Sequence, residues 1–360
     1  MIRPPRFARL MLVATALALF ATPAPAFADQ IRDDEWHLTA LRIPEAQGLS
    51  QGEGIIVAVA DTGVEDKRPE LAGAVLPGQG FGEGNDGDGR SDRIGHGTAM
   101  AALIAGRGLP NGDGVLGVAP KSMILPLKAI TNENGLGAPA TIAAGVEWAI
   151  DQGARVICIA AATDEDDHLR QTIERALRSD VVVVAGAGNR PAATSVAFPA
   201  RLPGVLAVGG TDSSGAHADI AATGPEVLVA APAVKVMSVG LGDKYRLGTG
   251  TSDATAIVAG VAALVRARFP DLSAAEVVHR ITATATDKGR PGRDDEYGFG
   301  IVNPVAALTA QLPSTPPPPP ETTEPPRPEA DDDIAEWAAG AGAVLVGVLA
   351  LVVVRRRLRG

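Results

Sequence analysis

The sequence predicts an α/β protein with a mainly parallel β-sheet and helices on both faces. Its short apolar runs lack the alternation that marks a strand with one solvated face, so they suit strands buried on both faces. Helix-like stretches lie between these runs. An alternating order of strand and helix implies right-handed crossovers, which leave the strands parallel and cover both faces of the sheet.

Five apolar runs are interpreted as strands, at Ile55–Ala60, Ile124–Ile130, Val156–Ala161, Val181–Ala185 and Val205–Val208. Helices are predicted after them or between them, among them Ala140–Gln152, His168–Arg178 and Asp253–Phe269. The first of these helices stops at Gly153, a residue typical of helix ends. Ligand sites in parallel α/β sheets lie at the carboxyl ends of the strands. Functional residues are therefore expected directly after the apolar runs.

The composition excludes several classes of protein. The chain has 360 residues, of which 46% are hydrophobic, and this excludes a mainly disordered chain. Its net charge of −10 argues against a nucleic-acid-binding protein, because phosphate binding needs a basic surface. The single cysteine, Cys158, cannot form an intramolecular disulfide and is expected to be a buried, inert core thiol.

Residues 1–28 have the three-part layout of a secretory signal peptide. Three arginines precede the apolar stretch Leu10–Phe20, and the small residues Ala26 and Ala28 predict cleavage after Ala28. An uncleaved signal anchor is the alternative. Residues 29–50 are interpreted as an N-terminal extension, ahead of a body at residues 51–310.

The C-terminal end of the chain predicts a membrane anchor. Residues 311–333 form a proline-rich and acidic linker, which predicts a semi-rigid spacer. Residues 334–354 are predicted to be a transmembrane helix, since the uncharged segment Trp337–Val354 would reach about 27 Å across a hydrocarbon core of about 30 Å. The arginine-rich tail 355–360 indicates the cytoplasmic side, so the body would lie outside the cytoplasm. A buried core helix and a sorting signal that is later removed are the alternatives.

Two polar residues stand where a catalytic acid and base would be expected. Asp61 follows the first apolar run in an Asp-Thr-Gly motif, for which an Asx turn is the alternative. His96 lies between two glycines at the start of an apolar helix, which leaves room for a substrate backbone to approach. The other histidines are interpreted as surface or hydrogen-bonded residues: His37, His168, His217 and His279.

Two more polar residues lie at a helix start and a strand end. Ser252 opens the helix Asp253–Phe269, and taken alone it is best interpreted as an N-cap. The functional alternative is a nucleophile near the positive end of the helix dipole. Asn189 follows the strand Val181–Ala185, where its side-chain amide could donate to a developing oxyanion.

These motifs in the chain order Asp, His, Asn, Ser resemble the subtilisin-like serine proteases. The resemblance spans roughly residues 36–310 and includes the segments LGVAPKSMILPLKAI and YGFGIVNPVAAL. The α/β-hydrolases differ, because their nucleophile precedes the acid and the histidine and lies in a Gly-x-Ser-x-Gly motif.

The resemblance implies a subtilisin-like fold and a serine endopeptidase that needs no cofactor. Ser252 would attack the peptide carbonyl, His96 would act as general base, and Asp61 would orient the imidazole. Asn189 and the Ser252 N–H would stabilise the oxyanion.

By the same resemblance, an extended peptide substrate would lie between two segments, in a main-chain binding mode. The first segment is Leu136 and Gly137, and the second is Ala160, Ala161 and Ala162. The three alanines depart from the Ser-Leu-Gly that many relatives have at this place.

The whole layout resembles the mycosins, which are membrane-anchored subtilisin-like proteases of type VII secretion systems. This resemblance implies protein or peptide substrates, a membrane location with the catalytic domain outside the cytoplasm, and the type VII secretion machinery as a candidate partner. The N-terminal extension of mycosins wraps the catalytic domain, and Trp36 and Leu41 are expected to anchor such a wrap. Two departures are the lack of disulfides and Asp253, which follows the serine where many relatives have a large apolar residue.

No metal site is predicted. The loop Gly82–Asp92 holds three aspartates and Asn85, which are oxygen ligands suited to Ca²⁺. It lacks the terminal glutamate of an EF-hand loop and is interpreted as a solvated loop. Three functions are weighed: an active membrane-anchored endopeptidase, a structural subunit of a secretion complex with dispensable catalysis, and a Ca²⁺-dependent adhesion module. The four intact motif residues favour the first.

Overall fold

The computed structural model describes residues 30–82, 87–131 and 137–312, all within a compact unit that ends at Pro316. Among these residues no helix is long and apolar enough to cross a membrane. The predicted signal peptide, the predicted transmembrane helix at 334–354 and the basic tail lie outside the described residues, as does the linker beyond Leu312. They remain predictions.

A seven-stranded parallel sheet forms the centre of this unit, so the mainly parallel sheet is confirmed. Its strands are β1 (Ile56–Asp61), β2 (Gln79–Gly80), β3 (Met123–Lys128), β4 (Val156–Ile159), β5 (Val182–Gly186), β6 (Leu206–Thr211) and β7 (Val229–Pro232). Their order is β2-β3-β1-β4-β5-β6-β7, and every neighbouring pair is parallel. A separate antiparallel hairpin consists of β8 (Val234–Val239) and β9 (Tyr245–Thr249).

Helices cover both faces of the sheet, as predicted. The α-helices in the described ranges are α1 (Gln30–Asp33), α2 (Trp36–Ala40), α3 (Ile43–Gln47), α4 (His96–Ala105), α5 (Pro139–Asp151), α6 (Asp167–Arg178), α7 (Thr251–Arg268), α8 (Ala274–Ala283) and α9 (Pro304–Thr309). Helices α4 and α7 pack on one face, with Val57 and Val59 of β1, whereas α5 and α6 pack on the other face, with Ala58 and Ala60. Because both sets of side chains are buried, β1 is apolar along its length instead of alternating.

The strand order opens a crevice at the carboxyl ends of β1 and β4. The chain passes from β1 to β3 on one side, and from β4 to β5 on the other side. Such a reversal of direction is where doubly wound sheets bind ligands. Asp61 ends β1, Ala160 follows β4 and Asn189 follows β5, so the sequence motifs meet at this edge of the sheet.

The N-terminal extension packs on the body through the short helices α1, α2 and α3. Leu41 is buried in the core, and Trp36 Nε1–H donates to the Lys235 carbonyl of β8 at 3.1 Å. Glu35 is also buried, and it accepts a hydrogen bond from the Leu116 N–H at 3.1 Å. Trp36 and Leu41 therefore anchor the extension, as expected.

Some local predictions differ from the structure. Strand β4 ends at Ile159, so Ala160 and Ala161 lie beyond it, where the chain turns into the crevice. The interpretation of His37 as a surface or hydrogen-bonded residue is wrong, because α2 packs its inner side against the core. His37 is fully buried, neither ring nitrogen has a hydrogen-bond partner in the described part of the chain, and burial lowers its pKa to about 3. The hairpin β8–β9 is absent from the predicted elements because polar residues such as Arg246 interrupt its apolar pattern.

Candidate active site

Asp61 and His96 form the first pair of the site. His96 Nδ1–H donates to both carboxylate oxygens of Asp61, at 2.8 and 2.9 Å. Asp61 is buried at the end of β1 and also accepts from the Thr62 N–H at 2.7 Å. An ionised carboxylate only accepts hydrogen bonds, so this contact puts the proton on Nδ1 and leaves Nε2 as the basic nitrogen. Asp61 thus contacts His96 of α4 as well as its neighbour Thr62. An isolated Asx turn would explain only the local contact.

The close approach of α4 to β1 requires a glycine at position 97. A Cβ atom on Gly97 would lie 2.2 Å from the Gly63 carbonyl oxygen and 3.0 Å from the Asp61 Cβ. A larger residue would push the first turn of α4 away from β1 and break the contact between His96 and Asp61. Packing between two elements therefore explains the second glycine of the Gly-His-Gly motif.

Asp92 holds the turn that precedes His96. Its Oδ1 accepts from the N–H groups of Ile94 and Gly95 at 2.9 and 2.8 Å. Its Oδ2 accepts from the N–H and the hydroxyl of Thr98 at 3.0 and 2.7 Å. These bonds satisfy N–H groups that the start of α4 leaves without helical partners. Asp92 is absent from the predicted site, and its only signal in the sequence is an acid shortly before a histidine that begins a helix.

Opposing effects set the pKa of His96. Burial lowers it, because the imidazolium loses solvation, whereas the charge of Asp61 and the hydrogen bond to Asp61 raise it. Arg246 lowers the same pKa and Asp253 raises it. The net pKa of His96 lies above its ordinary value, which makes the imidazole a stronger base.

Ser252 lies in the first turn of α7 but does not cap this helix. The N-cap is Gly250, and Ser252 Oγ–H donates to the Ala160 carbonyl oxygen at 2.9 Å. The interpretation of Ser252 as an N-cap is therefore wrong, because its hydroxyl contacts the segment after β4 instead of the free N–H groups of its own helix. Ser252 lines the same cleft as His96.

Asn189 is held by Thr251, the residue before Ser252. The Asn189 Oδ1 accepts from the N–H and the hydroxyl of Thr251, at 2.9 and 3.2 Å. With Oδ1 used in this way, the two donors on Nδ2 remain available on the other side of the amide. Thr251 Oγ1 also accepts from the Gly188 N–H at 3.2 Å, so Thr251 connects the end of β5 to the start of α7. This residue was not singled out from the sequence, although it belongs to the Gly-Thr-Ser motif.

The cleft lined by these side chains has a volume of about 730 Å³. Ala160, Ala161 and Ala162 form part of its lining. Gly137 lies next to them, since its N–H donates to the Ala162 carbonyl at 3.4 Å. The structure thus brings together four of the residues predicted for substrate binding, whereas Leu136 lies outside the described residues.

An ion pair lies in the same cleft as Ser252. The sequence motifs do not predict it. Arg246 of β9 and Asp253 of α7 both line the cleft, with Arg246 Nη2 at 3.5 Å from Asp253 Oδ1. Asp253 is only 1% exposed, and burial raises its pKa. The pair is hidden from sequence reasoning because it depends on how the hairpin β8–β9 packs.

Cys158 is a buried free thiol in β4, as predicted. Burial raises its pKa, so the thiol stays protonated and does not supply a nucleophile. Within residues 30–82, 87–131 and 137–312, no group of three or more histidine, cysteine, aspartate or glutamate side chains is placed to hold a metal ion. Residues 83–86 of the loop Gly82–Asp92 lie outside these ranges.

Comparison with known proteins identifies the family. Residues 52–300 match the Subtilase family. The chain is 37% identical to Subtilisin DY of Bacillus licheniformis over 267 residues. This match covers 73% of this chain and 93% of that protein. It is 35% identical to Mycosin-1 of Mycobacterium tuberculosis over 354 residues. This match covers 83% of this chain and 78% of that protein.

Solved structures point to the same family. The crystal structure of MycP1 from Mycobacterium smegmatis matches with a TM-score of 0.70 and 32% identity, covering 85% of this chain and 91% of that one. The MycP3 protease from the type VII (ESX-3) secretion system matches with a TM-score of 0.67 and 34% identity, covering 81% of this chain and 90% of that one. The chain therefore belongs to the subtilase family and is a subtilisin-like serine endopeptidase of the mycosin type.

Proposed function

We propose that this chain is a membrane-anchored, extracytoplasmic serine endopeptidase in which Asp61, His96 and Ser252 form the catalytic triad. The observation that carries this proposal is the contact of His96 Nδ1 with both oxygens of Asp61, at 2.8 and 2.9 Å. It supports Nε2 as the general base, at a cleft that Ser252 and Asn189 also line.

The reaction begins when Ser252 Oγ attacks the carbonyl carbon of the scissile peptide bond. His96 Nε2 takes the hydroxyl proton, and Asp61 stabilises the imidazolium. The proton then passes to the leaving amine, so the C–N bond breaks and an acyl-enzyme remains until water hydrolyses it. Because Ser252 Oγ–H donates to the Ala160 carbonyl at rest, its side chain turns towards His96 before the first step.

The tetrahedral oxyanion is proposed to bind Asn189 Nδ2 and the Ser252 N–H. The hydrogen bonds from Thr251 to Oδ1 support this role, because they orient the amide before the substrate binds. The Ser252 N–H belongs to the first turn of α7, where N–H groups have no partner within the helix and the helix dipole is positive.

The substrate is proposed to be a protein or peptide that binds as an extended strand beside Gly137 and Ala160–Ala162. The Gly137 N–H donates to the Ala162 carbonyl at 3.4 Å, a long contact that brings the two segments together and that an incoming peptide main chain would replace. No cofactor takes part in this mechanism.

The proposed location rests on the two ends of the chain. A signal peptide at 1–28, an anchor at 334–354 and a basic tail at 355–360 would leave the catalytic body outside the cytoplasm. The likeness to MycP1 and MycP3, from the ESX-1 and ESX-3 type VII secretion systems, supports the secretion machinery as a partner.

Labelling with a fluorophosphonate tests the triad. The full chain, purified in detergent, is expected to be labelled at Ser252, whereas the Ser252→Ala variant should not react and should lose a factor of about 10⁶ in kcat. The matched control is Ser195→Ala, which removes another serine from the lining of the cleft and is expected to be labelled like the unmodified chain. Equal labelling of Ser252→Ala would overturn the assignment of the nucleophile.

The second candidate function is a structural subunit of a secretion complex in which catalysis is dispensable. It is favoured by the resting hydroxyl of Ser252, which is bound to the Ala160 carbonyl instead of His96. Normal secretion by cells that carry Ser252→Ala, together with failed secretion by cells that lack the whole chain, would favour the structural role. Failed secretion in both strains would favour the peptidase.

A further inference from the structure

We propose that Arg246 is a specificity residue on the leaving-group side of the cleft, where it selects substrates with a carboxylate on the residue directly after the scissile bond. The inference rests on the proposed triad, because Ser252 and His96 define where that bond lies. It assigns a role to one charged side chain of a cleft that Asp164, Glu165 and Arg201 also line.

The hairpin β8–β9 places Arg246 on the His96 side of the cleft. Ser238 Oγ–H of β8 donates at 2.9 Å to the Ala99 carbonyl of α4, the helix that His96 begins. Arg246 lines the same cleft as His96 and Ser252. In the proposed reaction His96 delivers a proton to the leaving amine, so its side of Ser252 is the leaving-group side.

The far end of the hairpin is tied to the segment that follows Asp61. The Gly242 N–H donates to Glu65 Oε2 at 2.9 Å, and the Tyr245 hydroxyl donates to Glu70 Oε1 at 2.7 Å. Tyr245 is the residue before Arg246, so these contacts fix the start of β9. A hairpin bound at both places holds Arg246 at a defined position relative to His96.

The Arg246 guanidinium has donors available for a ligand. It forms no hydrogen bond with any residue that the structure describes, and its charge partner is Asp253, with Nη2 at 3.5 Å from Oδ1. The side chain is 29% exposed and reaches the cleft. A guanidinium presents five N–H donors in a planar fork that matches the two oxygens of a carboxylate.

Asp253 lies beside the guanidinium at the wall of the cleft, with only 1% of its side chain exposed. Gly248 covers it, because a Cβ atom at this position would lie 2.5 Å from both carboxylate oxygens. Burial raises the pKa of Asp253, so protonation of this carboxyl leaves the charge of Arg246 uncompensated as the pH falls. Asp253 is therefore a positioning residue, and Arg246 is the charge that a substrate meets.

The opposite preference, for a basic residue after the scissile bond, would need a substrate that reaches Asp253. Its Oδ1 has no hydrogen-bond partner in the described ranges, so it could accept one. Only 1% of the Asp253 side chain is exposed, against 29% of the Arg246 side chain. The observations therefore favour recognition of a carboxylate.

Four quenched-fluorescent peptide libraries test the inference. They are random before the scissile bond and fixed directly after it as Asp, Asn, Ala or Lys, with the cleaved bond identified by mass spectrometry. The full chain, in detergent at low ionic strength, is expected to cleave the Asp library with a kcat/KM about tenfold above that of the isosteric Asn library. Arg246→Gln should reduce this Asp-to-Asn ratio to about one, and Arg246→Glu should invert the order in favour of Lys.

The control is Lys244→Gln, which removes a positive charge from the turn of the same hairpin and should leave the Asp-to-Asn ratio unchanged. Labelling by a fluorophosphonate shows that each variant keeps a folded site. Protection of Ser252 against that label by excess Asp or Asn peptide gives a second measure of the same preference. A ratio near one in the unmodified chain, a ratio that Arg246→Gln does not change, or a preference for Lys would each overturn the inference. Cleavage by Ser252→Ala would instead overturn the proposed triad.

Discussion

Asp61 and Asp253 are both buried at the proposed catalytic site, but only Asp61 has a hydrogen-bond donor for each of its oxygens. Asp61 accepts from the Thr62 N–H and from His96, at 2.7 to 2.9 Å. Asp253 has Arg246 at 3.5 Å, and its Oδ1 has no hydrogen-bond partner among the described residues. Burial raises the pKa of Asp253.

The comparison shows that burial alone does not decide what a carboxylate does. A carboxylate whose oxygens have donors is stabilised as an anion and can orient the group that donates to it. A buried carboxylate with an unsatisfied oxygen destabilises the fold. Asp253 is therefore better explained by the charge that it holds in the cleft than by stability. Exchanging each carboxylate for an amide of the same shape tests this difference.

The largest effect is expected for Asp61→Asn. The loss of the charge that orients His96 should lower kcat/KM by a factor of about 10⁴. His96 acts as a base in its neutral form, so activity rises with pH through its pKa. Since Asp61 raises that pKa, the variant should show this rise at lower pH. The measurement is the pH dependence of kcat/KM, or of the rate of fluorophosphonate labelling.

The control for this change is Asp66→Asn. Asp66 is a partly buried acid in the segment that follows Asp61, and its Oδ2 lies 3.7 Å from Arg90 Nη1. This variant is expected to leave the pH profile of the activity unchanged. If the activity of Asp61→Asn also rose at the same pH as in the unmodified chain, the contact with Asp61 would not set the pKa of His96. The proposed difference between the roles of Asp61 and Asp253 would then be wrong.

A smaller effect is expected for Asp92→Ala, which tests whether the hydrogen bonds of Asp92 hold His96 in position. It removes the acceptor of four hydrogen bonds at the start of α4, so the free energy of unfolding should fall by about 2 kcal/mol. Fluorophosphonate labelling should slow by roughly tenfold, since His96 loses a fixed position. Urea denaturation and the labelling rate measure the two effects.

Asp88→Asn is the matched control, because Asp88 is an exposed acid of the same loop that bonds to Arg90. Its free energy of unfolding should stay within about 0.5 kcal/mol of the unmodified value. A similar loss of stability in Asp92→Ala and Asp88→Asn would mean that the charge of the loop matters, and that the four hydrogen bonds do not.

The smallest effect, of opposite sign, is expected for Asp253→Asn. Because the pKa of Asp253 is raised in the folded protein, its ionisation above the unfolded pKa of about 4 destabilises the fold. The amide should therefore stabilise the protein by about 1 kcal/mol at neutral pH, and by almost nothing below pH of about 4. Arg246 is 29% exposed, so water replaces its lost partner.

Thermal unfolding of Asp253→Asn and of the unmodified chain at several pH values measures this effect. The difference in Tm should grow as the pH rises from acid to neutral. A lower Tm for Asp253→Asn at neutral pH would show that the ion pair with Arg246 stabilises the fold, and that Asp61 and Asp253 are alike in this respect.

The strands and the positions of the motifs could be predicted because they depend on local patterns. Val57–Ala60 is apolar at every position since both faces of β1 are covered, and the sequence carries this pattern directly. Asp61, Asn189 and Ser252 were found because the carboxyl ends of parallel strands and the starts of the following helices meet at one edge. Such features belong to a few neighbouring residues, so a single sequence shows them.

The remaining contacts were decided only by the tertiary structure, because they join residues that are far apart in the chain. The pair Arg246 and Asp253 depends on a hairpin whose polar residues hide its strands, and the burial of His37 depends on what α2 packs against. Taken alone, the Ser252 motif suggests a helix N-cap, but in the folded chain Ala160 offers the hydroxyl an acceptor from another strand end. By itself, the sequence determined the fold class, the family motifs and the order of the proposed catalytic residues. Tertiary packing decided the partner and the solvation of each charged side chain, since both depend on every element that surrounds it.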